Sequence, residues 1–239
     1  MVGNLYDFHS HILPGMDDGY RSAADSIRAL KLSYEQGVRY MVATPHYYAD
    51  ESVEQFLERR QQAMEQLEKA MEEDGGPFPQ LCLGAEVAYY PNISFLKELP
   101  RLCIGNSRFL LLELPFSHWG VEVLRDLQII HNAGEVTPIL AHFERYVSVR
   151  NKRAVQKMLE LDLPLQMNAE FILARKTRRF AKRALEENPA CLLGSDCHNL
   201  TDRQPNLGPA LECLRTPALE NAVRRTMDLG EQLWTLAVD

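Results

Sequence analysis

The chain has 239 residues, 46% of them hydrophobic and 25% charged, and 26 Lys and Arg against 33 Asp and Glu leave a net charge of −7. That length can bury a substantial core and is one that α/β barrels reach as one unit, so residues 1–239 are expected to form a single domain. The acidic balance argues against nucleic acid as a partner, because a phosphate backbone is held mainly by clustered cations.

In chain order the apolar runs alternate as strand then helix, the pattern of a parallel sheet with crossover helices. The N-terminus has no basic segment followed by an apolar one, and no apolar run reaches about eighteen residues, so membrane insertion is not expected. Leu5–His9 reads as the first strand. Ser22 caps a helix through Glu35, in which Ile27, Leu30, Leu32 and Tyr34 recur near helical spacing, and Gly37 supplies a left-handed stop. Val38–Ala43 returns as the second strand. Residues 51–73 form a charged amphipathic helix with Val53, Phe56, Leu57, Met64, Leu67 and Met71 on one side, closing at Gly75-Gly76-Pro77; its charges read as a solvated face. Further strands are expected at Leu81–Ala85, Phe109–Leu112, Pro138–Ala141, Leu163–Met167 and Ala190–Leu193, and helices over 121–133, 151–161, 177–187 and 218–232. Cys82, Cys103, Cys191, Cys197 and Cys213 are scattered and odd in number, with no Cys-x-x-Cys pair, which fits a reducing cytoplasm.

Six of the seven strands run into a His, Asp or Glu: His9 and His11, His46, Glu86, Glu113, His142, and Asp196 with His198. Carboxylates and imidazoles offered from successive strand ends are what a multinuclear metal site needs, and the C-terminal rim of a β/α barrel is where such a site sits. His9 and His11 share a face because residues i and i+2 of a strand point the same way. A lone His-x-His is a common coincidence, but this one precedes the turn Pro14-Gly15-Met16-Asp17-Asp18-Gly19, which can fold a carboxylate back over the same face. Asp196 and His198 repeat the geometry, while Cys197 points away and reads as a small packed residue. Singly, His46, Glu86 and Glu113 could each be a polar residue opening a loop. Together they place carboxylates at a barrel mouth where divalent cations would compensate them. Arg145 and Arg203 follow candidate ligands closely, and a guanidinium suits phosphate oxygens, although a salt bridge to Asp or Glu is the plainer reading of either alone. His118 and His131 lie in or beside the 121–133 helix and read as ordinary histidines. Tyr47 and Tyr48 could stack on a substrate ring, though packing at a strand end is the commoner fate.

In order, residues 7–19, Thr44-Pro45-His46-Tyr47, Gly84-Ala85-Glu86, Leu112-Glu113-Leu114-Pro115, residues 141–146 and Gly194-Ser195-Asp196-Cys197-His198-Asn199 resemble the motif set of the PHP-superfamily (polymerase and histidinol phosphatase) protein-tyrosine phosphatases that bacteria encode with capsule and exopolysaccharide genes. The resemblance runs from residue 7 to about 208. It implies an α/β fold, a distorted (β/α)7 TIM-like barrel of the PHP type, and a site for three divalent ions, usually Mn2+, with iron, zinc and magnesium as alternatives. The ligands it implies are His9, His11, Asp18, His46, Glu86, Glu113, His142, Asp196 and His198; Asp18 is taken over Asp17 because the second Asp of the Asp-Asp-Gly turn matches the family's ligand. Arg145 and Arg203 match its phosphate-holding arginines, and the implied partner is a phosphotyrosine protein, a bacterial tyrosine kinase. Near Gln166-Met167-Asn168-Ala169-Glu170 the chain departs from the pattern, which has small or hydroxyl residues there. Glu170 either stands beside the pocket and repels acidic substrate groups or opens a helix and faces water, and the second is favoured.

The expected reaction is phosphomonoester hydrolysis by a hydroxide held between the ions, with metals and arginines neutralising the phosphoryl charge. A phenolate leaving group, with a conjugate-acid pKa of about 10, needs less proton assistance than an alkoxide, so no general acid is assigned. Cys82 and Cys191 do not begin a Cys-x5-Arg phosphate loop; Cys197 has that spacing to Arg203 but reads as a small packed residue. The alternatives are a histidinol-phosphate phosphatase or other PHP phosphoesterase, a polymerase-associated nuclease, which the charge and the lack of an attached polymerase domain disfavour, and an inactive metal-binding regulatory module.

Overall fold

A computed structural model describes residues 4–116, 119–148 and 152–239. Parallel strands alternate with helices, as the hydrophobic pattern requires. Strands β1 (Leu5–Ser10), β2 (Val38–Ala43) and β4 (Gln80–Leu83) form one sheet in the order β1-β2-β4. Strands β3 (His46–Tyr47), β5 (Glu86–Ala88), β6 (Phe109–Glu113), β7 (Thr137–Leu140), β8 (Leu165–Asn168) and β9 (Cys191–Gly194) form a second, in the order β3-β5-β6-β7-β8-β9.

The two sheets are one circuit broken at two bends. Between β2 and β3 lies Thr44-Pro45, where proline offers no amide proton, and between β4 and β5 lies Gly84-Ala85. Hydrogen bonds nevertheless continue across the bends, from Thr44 N–H to Ser10 O, Gly84 N–H to Ala43 O and Glu86 N–H to Pro45 O. With β2 and β3 counted as one bent strand and β4 and β5 as another, seven strands follow one another, which matches the expected distorted (β/α)7 barrel. The ends meet through a single bridge, Ser10 to Cys197, flanked by hydrogen bonds from Asp196 N–H to His9 O and His11 N–H to Cys197 O. No regular ladder joins β9 to β1 among the described residues, which is where the barrel is most distorted.

Helices α1 (Ala23–Glu35), α2 (Val53–Asp74), α3 (Val121–Ala133), α4 (Lys152–Leu159), α5 (Ala169–Leu173) and α6 (Arg178–Glu187) are the crossovers, and α7 (Leu207–Leu214) and α8 (Glu220–Val238) follow the last strand. Ser22 caps α1 by accepting from Asp25 N–H, Ser52 and Gln55 make a capping box at the start of α2, and Gly75 closes α2 in the left-handed conformation. Helix α7 was not expected, α5 is the short helix that Glu170 was expected to open, and α8 runs six residues beyond the expected 218–232. Residue 151, where α4 was expected to begin, lies outside the described residues, as does His118. Glu170 sits in the first turn of α5 and is exposed, as favoured. Tyr47 is buried and meets Phe56 edge-on, so it belongs to the core.

Alternation along the strands sorts side chains into two layers. Tyr6, Phe8, Val42, Cys82, Leu111, Ile139 and Leu192 fill the barrel interior. Leu233, Trp234 and Ala237 of α8 join them and close the end at which the strands begin, with Trp234 against Tyr40 at 4.9 Å between ring centroids. Met41, Leu110, Leu140 and Met167 face outward toward helical residues such as Leu30, Phe56 and Leu127. With one end sealed by an apolar helix, polar groups at the other end are the ones that can meet a ligand.

Trp234→Ala should therefore cost about 3–5 kcal/mol of stability, read as a lower urea midpoint with unchanged slope; a loss below about 1 kcal/mol would mean that α8 does not seal the interior.

Candidate metal centre

His46 and Glu86 open β3 and β5 just past the two bends, and every other candidate ligand sits near the C-terminal end of a strand or in the loop beyond it, so the barrel itself draws them together. Three overlapping groups of donor atoms, each within 4.8 Å of one another, are formed by His11, Asp18, His46 and His198; by His9, His11 and Asp196; and by His46, Glu86 and Glu113. His142 lies beside the third group, with Nε2 2.9 Å from Glu86 Oε1 and 3.1 Å from Glu113 Oε1. Glu86 is the centre. Its Oε2 is 3.0 Å from His9 Nε2, 3.1 Å from His11 Nε2 and 3.2 Å from His46 Nδ1. Donors at right angles around one ion, each about 2.1 Å from it, lie about 3 Å apart, so the spacing fits shared cations.

The tautomers fit as well. His9 Nδ1 faces Gln166 Oε1 at 3.0 Å, His11 Nδ1 faces Asp17 Oδ2 at 2.7 Å, and His198 Nδ1 faces the Asp196 carbonyl at 2.9 Å. An acceptor at Nδ1 assigns the proton there and leaves the Nε2 lone pair for the cluster. His9 Nε2 and His11 Nε2 then face each other at 3.2 Å, a contact between two lone pairs that needs a proton or a cation between them. His198 Nε2 and His46 Nδ1 are buried without a hydrogen-bond partner. Imidazole and carboxylate donors suit manganese, iron or zinc, and none of the clustered donors is a soft thiolate.

Electrostatics show what the cations would relieve. Burial favours a neutral Glu86, but the charge on His9 and hydrogen bonds from His11 and His142 hold its carboxyl well below the usual range. Burial likewise opposes protonation of His11 and His142, and is outweighed by their carboxylate partners; His11 is pushed up to about 10 and His142 to about 9. Burial, with the nearby His11 charge, depresses His46 and takes His198 down to about 4. Without metal the cluster is thus stitched together by protons on some imidazoles.

Asp17 and Asp18 divide the turn between them. Asp17 accepts from His46 N–H at 2.9 Å and Gly19 N–H at 2.9 Å while holding His11, and burial against that hydrogen bond leaves its pKa at about 2. Asp18 Oδ1 approaches His198 Nε2 at 3.4 Å and His46 Nε2 at 3.7 Å. Gly19 lets the turn close on the strand, since a Cβ there would stand 2.5 Å from His11 O. Strand β8 alone carries no candidate ligand, yet it supports three of them. Gln166 Oε1 holds His9 and accepts from His142 N–H at 2.7 Å; Gln166 Nε2 donates to Asn168 Oδ1 at 2.9 Å; Asn168 Nδ2 donates to Asp196 Oδ2 at 2.7 Å. His142 and Asp196 have positive φ, 32° and 53°, a strained conformation that these hydrogen bonds maintain.

Arg145 and Arg203 reach Asp196 from two sides, Nη2 to Oδ2 at 3.0 Å and Nη2 to Oδ1 at 2.8 Å, and Arg203 also comes within 3.8 Å of Asp18. They therefore make ion pairs, and with partners that belong to the cluster. His131 is exposed on α3, away from these groups. Cys197 is fully buried in the core. Sequence reasoning had passed over Asp17 as a positioning group and missed Gln166 and Asn168 altogether; the signal available was polar residues two apart in an otherwise apolar strand.

The fold and the donor set define a PHP-type barrel with a candidate multinuclear metal centre. The chain belongs to the capsular polysaccharide synthesis family CpsB/CapC, which matches residues 5–228. It is 32% identical over 225 residues to the tyrosine-protein phosphatase CpsB of Streptococcus agalactiae serotype III (strain NEM316), with 88% of this chain and 89% of that protein covered. It is 29% identical over 222 residues to the tyrosine-protein phosphatase YwqE of Bacillus subtilis (strain 168), with 88% of this chain and 84% of that protein covered. A solved structure from the work on YwqE and Streptococcus pneumoniae CpsB, described as unique metal-dependent tyrosine phosphatases, superposes with a TM-score of 0.80 at 25% identity over 97% of this chain and 95% of its own. The phosphotriesterase homology protein of Escherichia coli shares the fold, with a TM-score of 0.54 at 13% identity and 96% and 98% coverage.

Two results should follow. Because His11 and His142 hold protons in the metal-free site and must lose them to bind, loading with Mn2+ should release about two protons and tighten as pH rises from about 6 to 8; calorimetry in buffers of different ionisation enthalpy reads both, and flat affinity with no proton release would remove these histidines as ligands. Gln166→Leu should weaken metal binding about 10- to 100-fold, as measured by equilibrium dialysis.

Proposed function

We propose that this chain is a metal-dependent protein-tyrosine phosphatase whose ligands are His9, His11, Asp18, His46, Glu86, Glu113, His142, Asp196 and His198. The observation that carries the reading is the convergence of eight of these side chains on three overlapping donor groups, with His142 beside Glu86 and Glu113 and with Arg145 and Arg203 at the edge. The names of the CpsB and YwqE relatives supply the substrate class, a phosphotyrosine protein, and the capsule context of the family makes a bacterial tyrosine kinase the proposed partner. Mn2+, as three ions, is the proposed native metal. Five free cysteines, and no described helix long and apolar enough to cross a membrane, go with the proposed place in the reducing cytoplasm.

Bound divalent ions would supply acidified water and neutralise phosphoryl charge. The chain's own residues do the rest. Arg145 and Arg203 are part-exposed, with guanidinium nitrogens about Asp196, and bind the non-bridging oxygens of the phosphoryl group. Gln166 and Asn168 keep His9 and Asp196 from turning away when the ester arrives. The phenolate leaves without a dedicated proton donor, for its conjugate-acid pKa is only about 10. A cysteine nucleophile is disfavoured by burial, which pushes Cys82 up to about 11 and Cys103 and Cys197 up to about 12.

Metal-stripped protein should release no phosphate from a phosphotyrosyl peptide and should recover on addition of Mn2+, with Mg2+ and Zn2+ compared. His9→Ala and Asp196→Ala should lower the restored rate by at least about 100-fold. Better turnover of histidinol phosphate than of the peptide would move the reading to that phosphatase, and no turnover with any metal would move it to a regulatory module.

A further inference from the structure

Two aromatic rings at the mouth of the cluster keep one face open. Phe116, just beyond β6, is 55% exposed, and Tyr48, just beyond β3, is 48% exposed. Neither is a stray surface residue, because each leans on a histidine of the cluster. Tyr48 stacks on His46 with centroids 5.2 Å apart and planes at 28°. Phe116 lies 5.5 Å from the His142 ring, and 6.4 Å from Tyr146 at 24°. The Arg145 guanidinium lies 5.5 Å from the Phe116 centroid.

His46 and His142 approach different oxygens of Glu86, Oε2 and Oε1. The strand order β3-β5-β6 puts Tyr48 and Phe116 on loops to either side of β5. The two rings therefore flank the cluster rather than stand together. The Phe116 loop is also held in place, since Leu114 N–H donates to the buried Tyr146 hydroxyl at 2.8 Å and Trp119 Nε1 donates to Pro115 O at 2.6 Å. The other large aromatic residues exposed among the described ones, Phe95 and Phe180, make no ring contact with a cluster histidine.

Leaving-group pKa favours an aryl ester in the chemical step, but metal ligands and arginines contact only the phosphoryl group, which every phosphomonoester shares, so they do not select an aryl ester in binding. A binding preference has to come from groups that touch the leaving side. An open aromatic face fixed next to a polar cluster loses hydration cost when a second ring covers it, and ring pairs gain further from offset or edge-on geometry.

We propose that Phe116 and Tyr48 wall a slot for the aryl ring of the substrate and set the preference for aryl over alkyl phosphomonoesters. The proposal rests on the phosphatase reading for the position of the phosphoryl group. Both residues are specificity determinants, with no part in bond breaking.

Phosphonates, whose C–P bond is not hydrolysed, separate the two ideas. The Mn2+-loaded protein is titrated with benzylphosphonate, propylphosphonate and inorganic phosphate, and the series is repeated for Phe116→Ala, Tyr48→Ala and Phe116→Tyr. Wild-type protein should prefer benzyl to propyl by about tenfold. Each alanine variant should lose about three- to tenfold of the benzyl affinity, with phosphate binding kept within about twofold, and Phe116→Tyr should keep the preference. In turnover, the alanine variants should raise KM for an aryl ester with little change in kcat. Equal wild-type affinity for the two phosphonates would overturn the slot, and so would alanine variants in which phosphate binding falls in parallel. Benzyl preference without turnover would sink the phosphatase reading and leave the slot, whereas turnover without ring dependence would do the reverse.

Discussion

Everything at the mouth of this barrel answers to one constraint, the cost of keeping charged groups away from water. Glu86 is almost fully buried and has His9, His11, His46 and His142 around its two oxygens. A lone buried carboxylate would take up a proton; here imidazoles stand where neutralising charge is needed. Protons can fill part of that role, as the raised pKa values of His11 and His142 indicate, but His46 and His198 are pushed the other way by the same burial and by their charged neighbour. A site in which some histidines must be charged and others cannot be is one that divalent cations would satisfy more completely than protons do.

Such a cluster would spread apart if its members were free to turn, and the barrel prevents this with ordinary hydrogen bonds. Asp17, Gln166 and Asn168 take positions behind the ligand candidates, fixing which nitrogen of His9 and His11 faces inward and where Asp196 points. The two residues with strained backbone in the cluster, His142 and Asp196, are each tied through their amide, one to Gln166 and the other to the His9 carbonyl. The strain at Asp196 falls where the first and last strands fail to pair regularly, and that at His142 falls just beyond β7, beside Gln166 of β8.

The opposite end is closed by α8, whose Leu233 and Trp234 complete the interior begun by Tyr6, Phe8 and Val42. An apolar plug at one end and a polar mouth at the other give the chain one productive face. On that face the buried thiols take no part, and the groups with most access to solvent are Asp18, two arginines and two aromatic rings. These are the features from which an ester of a phenol can be gripped at both its phosphoryl and its ring end.

The strand ends were legible because in a barrel the position of a residue along its strand decides which rim it reaches, so an apolar run followed by His, Asp or Glu announces its place. The cap at Ser22 and the stop at Gly75 were legible for a similar local reason, whereas the capping box at Ser52 was not read from the sequence. Tyr47 and Tyr48 look alike in sequence, but alternation sends one into the core and leaves the other on His46. The short helix α7 escaped notice, and the extent of α5 beyond Glu170 was not drawn, since their stability comes from packing against neighbours and not from a long periodic pattern. Gln166 and Asn168 escaped because their partners, His9, His142 and Asp196, lie 24 to 157 residues away. By itself the sequence determined the parallel α/β alternation, the set of donors at the strand ends and hence the kind of chemistry. Only the tertiary structure decided which donors share oxygens, which nitrogen each imidazole presents and which rings stand open beside them, because those depend on distances between strands that no local pattern encodes.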